Sequence, residues 1–116
     1  MAGDVLSGLV SVPPESVAVR PPAGPLVAGR PVTLSCQVTG SEPAARVNWL
    51  VGSTEAAADR HQQQPSPDGN GTVSLLSFTP EPADHGQTVT CRAANPAAGT
   101  PPAEDALILH VQCEYT

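Results

Sequence analysis

Short runs of alternating apolar and polar residues recur along this chain with the period of half-buried strands. Val17 and Val19 alternate within residues 15–20. Val32, Leu34, Cys36 and Val38 alternate through 31–39, the clearest run. Val47, Trp49 and Val51 share a phase in 46–51, and residues 72–79 set Ser74, Leu76 and Phe78 against Val73, Leu75 and Ser77. Two more runs cover 88–94 and 106–112. Turn-forming residues fall between them: Pro21-Pro22-Ala23-Gly24-Pro25, Gly40-Ser41-Glu42-Pro43, Ser66-Pro67-Asp68-Gly69, residues 80–86 and the proline-rich stretch 95–102. Residues 52–69 are polar and Ala-rich; a helix fits 54–61, but no apolar stripe supports one. About seven short strands with such regular turn signals predict an all-β antiparallel sandwich.

Composition sharpens this picture. The 116 residues include 14 Pro and 10 Gly but one each of Trp, Tyr, Phe and Met, so the core is short of large side chains. No apolar run approaches the roughly 18 residues of a membrane span. Five Arg, no Lys and 11 acidic residues give a net charge of −6. A nucleic-acid binder needs a basic footprint, and none is present. Residues 1–12 carry Asp4 and no basic residue, unlike a secretory leader, and read as a linker or the tail of an upstream domain. The sandwich is expected over 13–113, with 114–116 leading toward a following domain, so the chain reads as an excerpt from a longer protein.

Cys36 and Cys91 both lie on the buried phase of their strands. Two inward cysteines on different strands suit a core disulfide, which the chain-entropy model values at about 4 kcal/mol for a loop of this length. Free buried thiols are the alternative, since cysteine packs well as a small apolar residue. Asn70-Gly71-Thr72 is a sequon for N-glycosylation in an evident turn. Together the two features favour an oxidising, secretory compartment. Cys113 is in phase with Leu107, Leu109 and Val111 and reads as an inward strand-end residue.

Trp49 follows Cys36 by thirteen positions and Cys91 follows it by fifty-five. This Cys…Trp…Cys order, with Asp84-His85-Gly86 before the second Cys, is that of an immunoglobulin-like sandwich, in which the indole packs on the disulfide. Val89 stands where the tyrosine of a tyrosine corner would be. The segments Leu26-Val27-Ala28-Gly29-Arg30-Pro31, Leu34-Ser35-Cys36-Gln37, Asn48-Trp49, Pro67-Asp68-Gly69-Asn70-Gly71-Thr72 and Cys91-Arg92-Ala93-Ala94-Asn95-Pro96 carry a closer likeness. Over about 13–113 the chain resembles the second domain of sidestep-like guidance receptors, and nephrin-like and nectin-like domains share several of these segments. The resemblance implies a tandem-domain, membrane-anchored adhesion or guidance receptor on the extracellular side of the plasma membrane. It also implies a partner that is the ectodomain of another immunoglobulin-superfamily protein, the same or different.

Catalysis finds little support. His61, His85 and His110 are expected far apart and solvated, no metal-ligand spacing occurs, and no cofactor is called for. Binding is the better reading. Alternation turns Arg46, Asn48, Leu50, Thr90, Arg92, Ile108 and His110 outward on one sheet, an apolar centre with Arg at hand. A spacer role, with recognition in a neighbouring domain, is the competing expectation. A structural immunoglobulin module of the extracellular matrix or of an intracellular filament is the alternative function.

Overall fold

The structure is a computed structural model that describes residues 12–21, 24–42, 44–57, 60–99 and 101–113. The tail expected over 1–12, apart from Val12, and that over 114–116 lie outside the described residues.

The strands are β1 (Val12–Arg20), β2 (Leu26–Val27), β3 (Val32–Glu42), β4 (Arg46–Val51), β5 (Thr54–Glu55), β6 (His61–Pro65), β7 (Gly71–Phe78), β8 (Thr88–Ala94), β9 (Ala103–Ile108) and β10 (Val111–Gln112). Two antiparallel sheets, in the orders β1-β3-β7-β6 and β5-β4-β8-β9, form the sandwich. Each alternating run buries one phase between the sheets. Leu34, Cys36 and Val38 come from β3, Val47 and Trp49 from β4, Leu76 from β7 and Val89, Cys91 and Ala93 from β8. Burial of such side chains stabilises by roughly 1.5–3 kcal/mol each.

The expectation of about seven strands is met by these principal strands, and three pieces were not anticipated as strands. The polar stretch 52–69 holds no α-helix among its described residues, only a 3-10 position at Arg60, whose N–H donates to the Ala57 carbonyl at 3.0 Å; β5 and β6 flank it. β6 has no apolar stripe because its outward residues face solvent and its ladder to β7 supplies the backbone bonds. The run expected over 106–112 divides. β9 ends at Ile108, and β10 leaves the sheet to pair in parallel with β2, Val111 opposite Leu26. Leu109 remains fully buried between them, so the alternation continues across a break in pairing.

Glycine is required where β3 turns toward β4. Gly40 has φ +81°, and a Cβ there would meet the Cβ and N of Glu15 at 3.2 and 3.3 Å. Glu15 is the extra residue of a bulge in β1, between the pairs Pro14↔Gly40 and Ser16↔Thr39.

Candidate functional site

Pairing register defines the outward face of the β5-β4-β8-β9 sheet. One row runs Glu55, Leu50, Thr90, Ala106; the next runs Asn48, Arg92, Glu104. Arg46 lies opposite Ala94, and Ile108 opposite Thr88. Six of the seven residues expected on this face, Arg46, Asn48, Leu50, Thr90, Arg92 and Ile108, therefore share it. Ile108 is 56% exposed, a large value for an aliphatic side chain in a strand. Leu50 is half-buried, and Thr90 and Thr88 stand between it and Ile108 in the register. The apolar content of the face is thus divided rather than a continuous centre. Arg92 Nε donates to Glu104 Oε2 at 2.5 Å across the β8–β9 ladder, so this guanidinium is already matched to a carboxylate.

His110, the seventh, lies outside the ladder that defines that face. It lies in the break between β9 and β10, beside Ile108 and Leu109 but unpaired in the ladder, and its ring meets that of His85 edge-on, with centroids 6.0 Å apart. The expectation that the three histidines are far apart fails for this pair, while their exposure is as expected. Val111 N–H donates to His85 Nδ1 at 3.0 Å, so the imidazole holds β10 in place. Cys113, just beyond β10, is an exposed free thiol and not the inward residue its phase suggested, because alternation ends with the pairing. Among the described residues no three His, Cys, Asp or Glu side chains converge as metal ligands.

The opposite sheet turns Val73 and Leu75 outward, both half-buried. Gln37 and Gln64 flank Val73 in register, and Ser35 and Gln62 flank Leu75, so each aliphatic sits in a polar row.

Between the sheets, the Cys36–Cys91 disulfide joins β3 to β8. Trp49 is the cross-strand neighbour of Cys91, and Ser74 that of Cys36. Trp49 Nε1 donates to Ser74 Oγ at 2.9 Å, with both residues fully buried.

Sequence patterns gave no sign of the role of Gln63. Its Nε2 donates to the Ala45 carbonyl at 2.6 Å, and its Oε1 accepts from Val47 N–H at 3.1 Å. A β6 side chain thus satisfies backbone at the start of β4, in the other sheet. Gln63 is itself exposed, and only its phase, opposite buried Ser74, could have marked its amide as reaching toward the other sheet.

Against this geometry, the model of the CD80-like C2-set immunoglobulin domain matches residues 14–102. The chain belongs to that family. Kin of IRRE-like protein 3 of Homo sapiens is 33% identical to it over 93 residues, which are 76% of this chain and 12% of that protein. Cell adhesion molecule 3 of Mus musculus is 39% identical over 61 residues, 51% of this chain and 15% of that protein. The chain thus spans a small fraction of the length of these relatives. Among solved structures, Rst D1-D2 superposes with a TM-score of 0.74 at 26% identity, covering 96% of this chain and 53% of that one. The ectodomain of mouse nectin-like molecule 4 (Ig1-Ig3) gives 0.74 at 28% identity, covering 97% and 37%. The resemblance to immunoglobulin domains of adhesion receptors is therefore sound.

In this C2-set domain two polar side chains fasten β1. Asn95, which is buried, donates from Nδ2 to the Val12 carbonyl at 2.9 Å and accepts from Ala97 N–H at 3.2 Å, capping the 3-10 turn Pro96–Ala98. Asp105 Oδ2 accepts from Val19 N–H at 2.8 Å, tying β9 to β1 across the open edge of the sandwich. Asn70 is exposed in the β6–β7 turn of the domain. There Asp68 Oδ1 accepts from Ser66 Oγ at 2.5 Å and from Asn70 N–H at 3.0 Å. These bonds, that of the Ser66 hydroxyl first, hold the Asp68 carboxyl below the usual carboxylate range.

Proposed function

We propose that this chain is an extracellular domain of a cell-surface adhesion or guidance receptor, and that it mediates or spaces recognition of another immunoglobulin-superfamily ectodomain. The observation that carries the reading is membership of the C2-set family together with relatives that are cell adhesion molecules. The bonded Cys36 and Cys91 favour an oxidising compartment over the reducing one of an intracellular filament. Asn70 carries an N-linked glycan, consistent with its sequon and exposed turn.

Any direct contact uses the outward face of β5-β4-β8-β9, where Ile108 and Leu50 supply the apolar anchors and Arg46 a cation. The parent protein acts as a non-enzymatic, membrane-anchored receptor. The test displays the parent ectodomain on beads against cells expressing single immunoglobulin-superfamily ectodomains, its own included. Capture by at least one is expected, and Leu50→Asp with Ile108→Asp should abolish it while Val73→Asp with Leu75→Asp leaves it intact. The reverse pattern would assign recognition to the other sheet. Capture unaffected by either pair, in folded protein, would make this domain a spacer.

A further inference from the structure

The three residues of the sequon have different fates in the fold. Asn70 is exposed, but Thr72 is only 3% exposed, at the turn end of β7 and flanked by Val38 of β3 on one side and Pro65 of β6 on the other. Gly71 is pressed against β3 so closely that a Cβ there would lie 2.0 Å from the Val38 carbonyl oxygen. The backbone is also committed: the Asn70 carbonyl accepts from Gly40 N–H and the Gly71 carbonyl from Ser66 N–H, both at 3.0 Å. A sequon is defined by its hydroxyl residue as much as by its asparagine, so the transferase must read both. In the folded domain it can reach only one.

Resting on the reading of Asn70 as a glycosylation site, we propose that it is a site of the unfolded chain alone, modified before the sandwich closes and inert to the transferase afterwards. In the reaction, Asn70 Nδ2 attacks the anomeric carbon of a lipid-pyrophosphate-linked oligosaccharide. The N–C bond forms as the C–O bond to pyrophosphate breaks, an amide proton passes to a base of the enzyme, and the lipid pyrophosphate leaves. Seating the acceptor requires Thr72 to leave both Val38 of β3 and Pro65 of β6, so the turn end of β7 must detach from two strands at once.

Chain order sets the time available. β7 cannot be locked by the disulfide until Cys91 is made, twenty-one residues after Asn70. At the usual rate of synthesis that interval is about 1–4 s. Glycan occupancy at Asn70 is therefore a competition between transfer and closure of the Cys36–Cys91 bond, and slower oxidation gives fuller occupancy.

The test uses the 116-residue chain made in bacteria, in two forms: refolded with its disulfide, and reduced with its thiols alkylated. Alkylation keeps the second form unfolded, because Cys36 and Cys91 are both fully buried in the native domain. Each is incubated with microsomal oligosaccharyltransferase and lipid-linked oligosaccharide, and the peptide containing Asn70 is weighed. Transfer to the alkylated chain is expected, with at least about tenfold less to the folded one, since the folded chain reacts only through rare opening. Equal transfer to both would overturn the proposal while leaving the glycosylation reading standing. No transfer to either would remove that reading and the proposal with it.

Discussion

Trp49 and Ser74 complete a second link between the sheets, one step away from the disulfide on both sides. Cys36 and Ser74 are neighbours across β3 and β7, Cys91 and Trp49 are neighbours across β8 and β4, and the indole N–H bonds the hydroxyl. The domain thus has a covalent rung and a hydrogen-bonded rung in register. Ser74→Ala should cost about 1–3 kcal/mol, because it strands a buried N–H donor. Added to Trp49→Phe, which removes that donor, the same change should cost clearly less. Urea denaturation of the four proteins of the cycle measures the difference.

Removal of the covalent rung should cost more. Cys36 and Cys91 are 55 residues apart, and a closed loop of that size contributes about 4 kcal/mol in the chain-entropy model. Denaturation of the oxidised chain against Cys36→Ala with Cys91→Ala should show a loss of this order, plus the small packing change.

Gln63 separates from its neighbours under mutation. Gln63→Ala removes both bonds to the Ala45 carbonyl and Val47 N–H and should destabilise by about 1–3 kcal/mol. Gln63→Glu should destabilise too, since a carboxylate oxygen then faces the Ala45 carbonyl. Gln62→Ala and Gln64→Ala, on the solvent side of β6, should stay within about 0.5 kcal/mol. Thermal melting of the four variants distinguishes them.

What was legible in advance was whatever buries an apolar side chain at period two. β3, β4, β7 and β8 follow directly from Leu34, Trp49, Leu76 and Val89 and their partners. So does the pairing of Cys36 with Cys91, because both are inward at a familiar spacing from Trp49. β6 was not legible, because its ladder is made by backbone and its one inward reach by an amide. Nor was the transfer of β10 to β2, since Leu109 and Val111 keep the same phase whether or not the pairing is broken. Expecting His110 in the ladder of the candidate face and Cys113 inside both followed from extending that phase past Ile108. The outward face itself was readable in strands whose register is continuous, and lost where it is not.

Acid should loosen the β6–β7 turn. The Asp68 carboxyl titrates below its ordinary value because the charged form accepts from Ser66 and Asn70. Its contribution to stability is fully present above the ordinary carboxylate value of about 3.9 and is lost as pH falls through the lower, folded value. Carbon NMR of the carboxyl should show the depressed midpoint, and Ser66→Ala should raise it.

The Arg92–Glu104 pair, by contrast, should matter little to folding. Both side chains are more than two-fifths exposed, and an exposed pair of this kind contributes about 0–1 kcal/mol. Glu104→Ala should leave the melting temperature almost unchanged while freeing the Arg92 guanidinium on the outward face, and added salt should erase what small difference remains.

On the proposed adhesion function this domain carries load between cells, and the disulfide decides how much of it can yield. Tension applied at the two ends can straighten only the chain outside Cys36 and Cys91. The 55-residue separation enclosed by that bond, roughly 190 Å of contour at about 3.4 Å per residue, is withheld from extension while the bond is intact. A stretched domain would therefore lengthen in a short step when oxidised and in a far longer one when reduced, which makes the reach of the tether a function of its redox state.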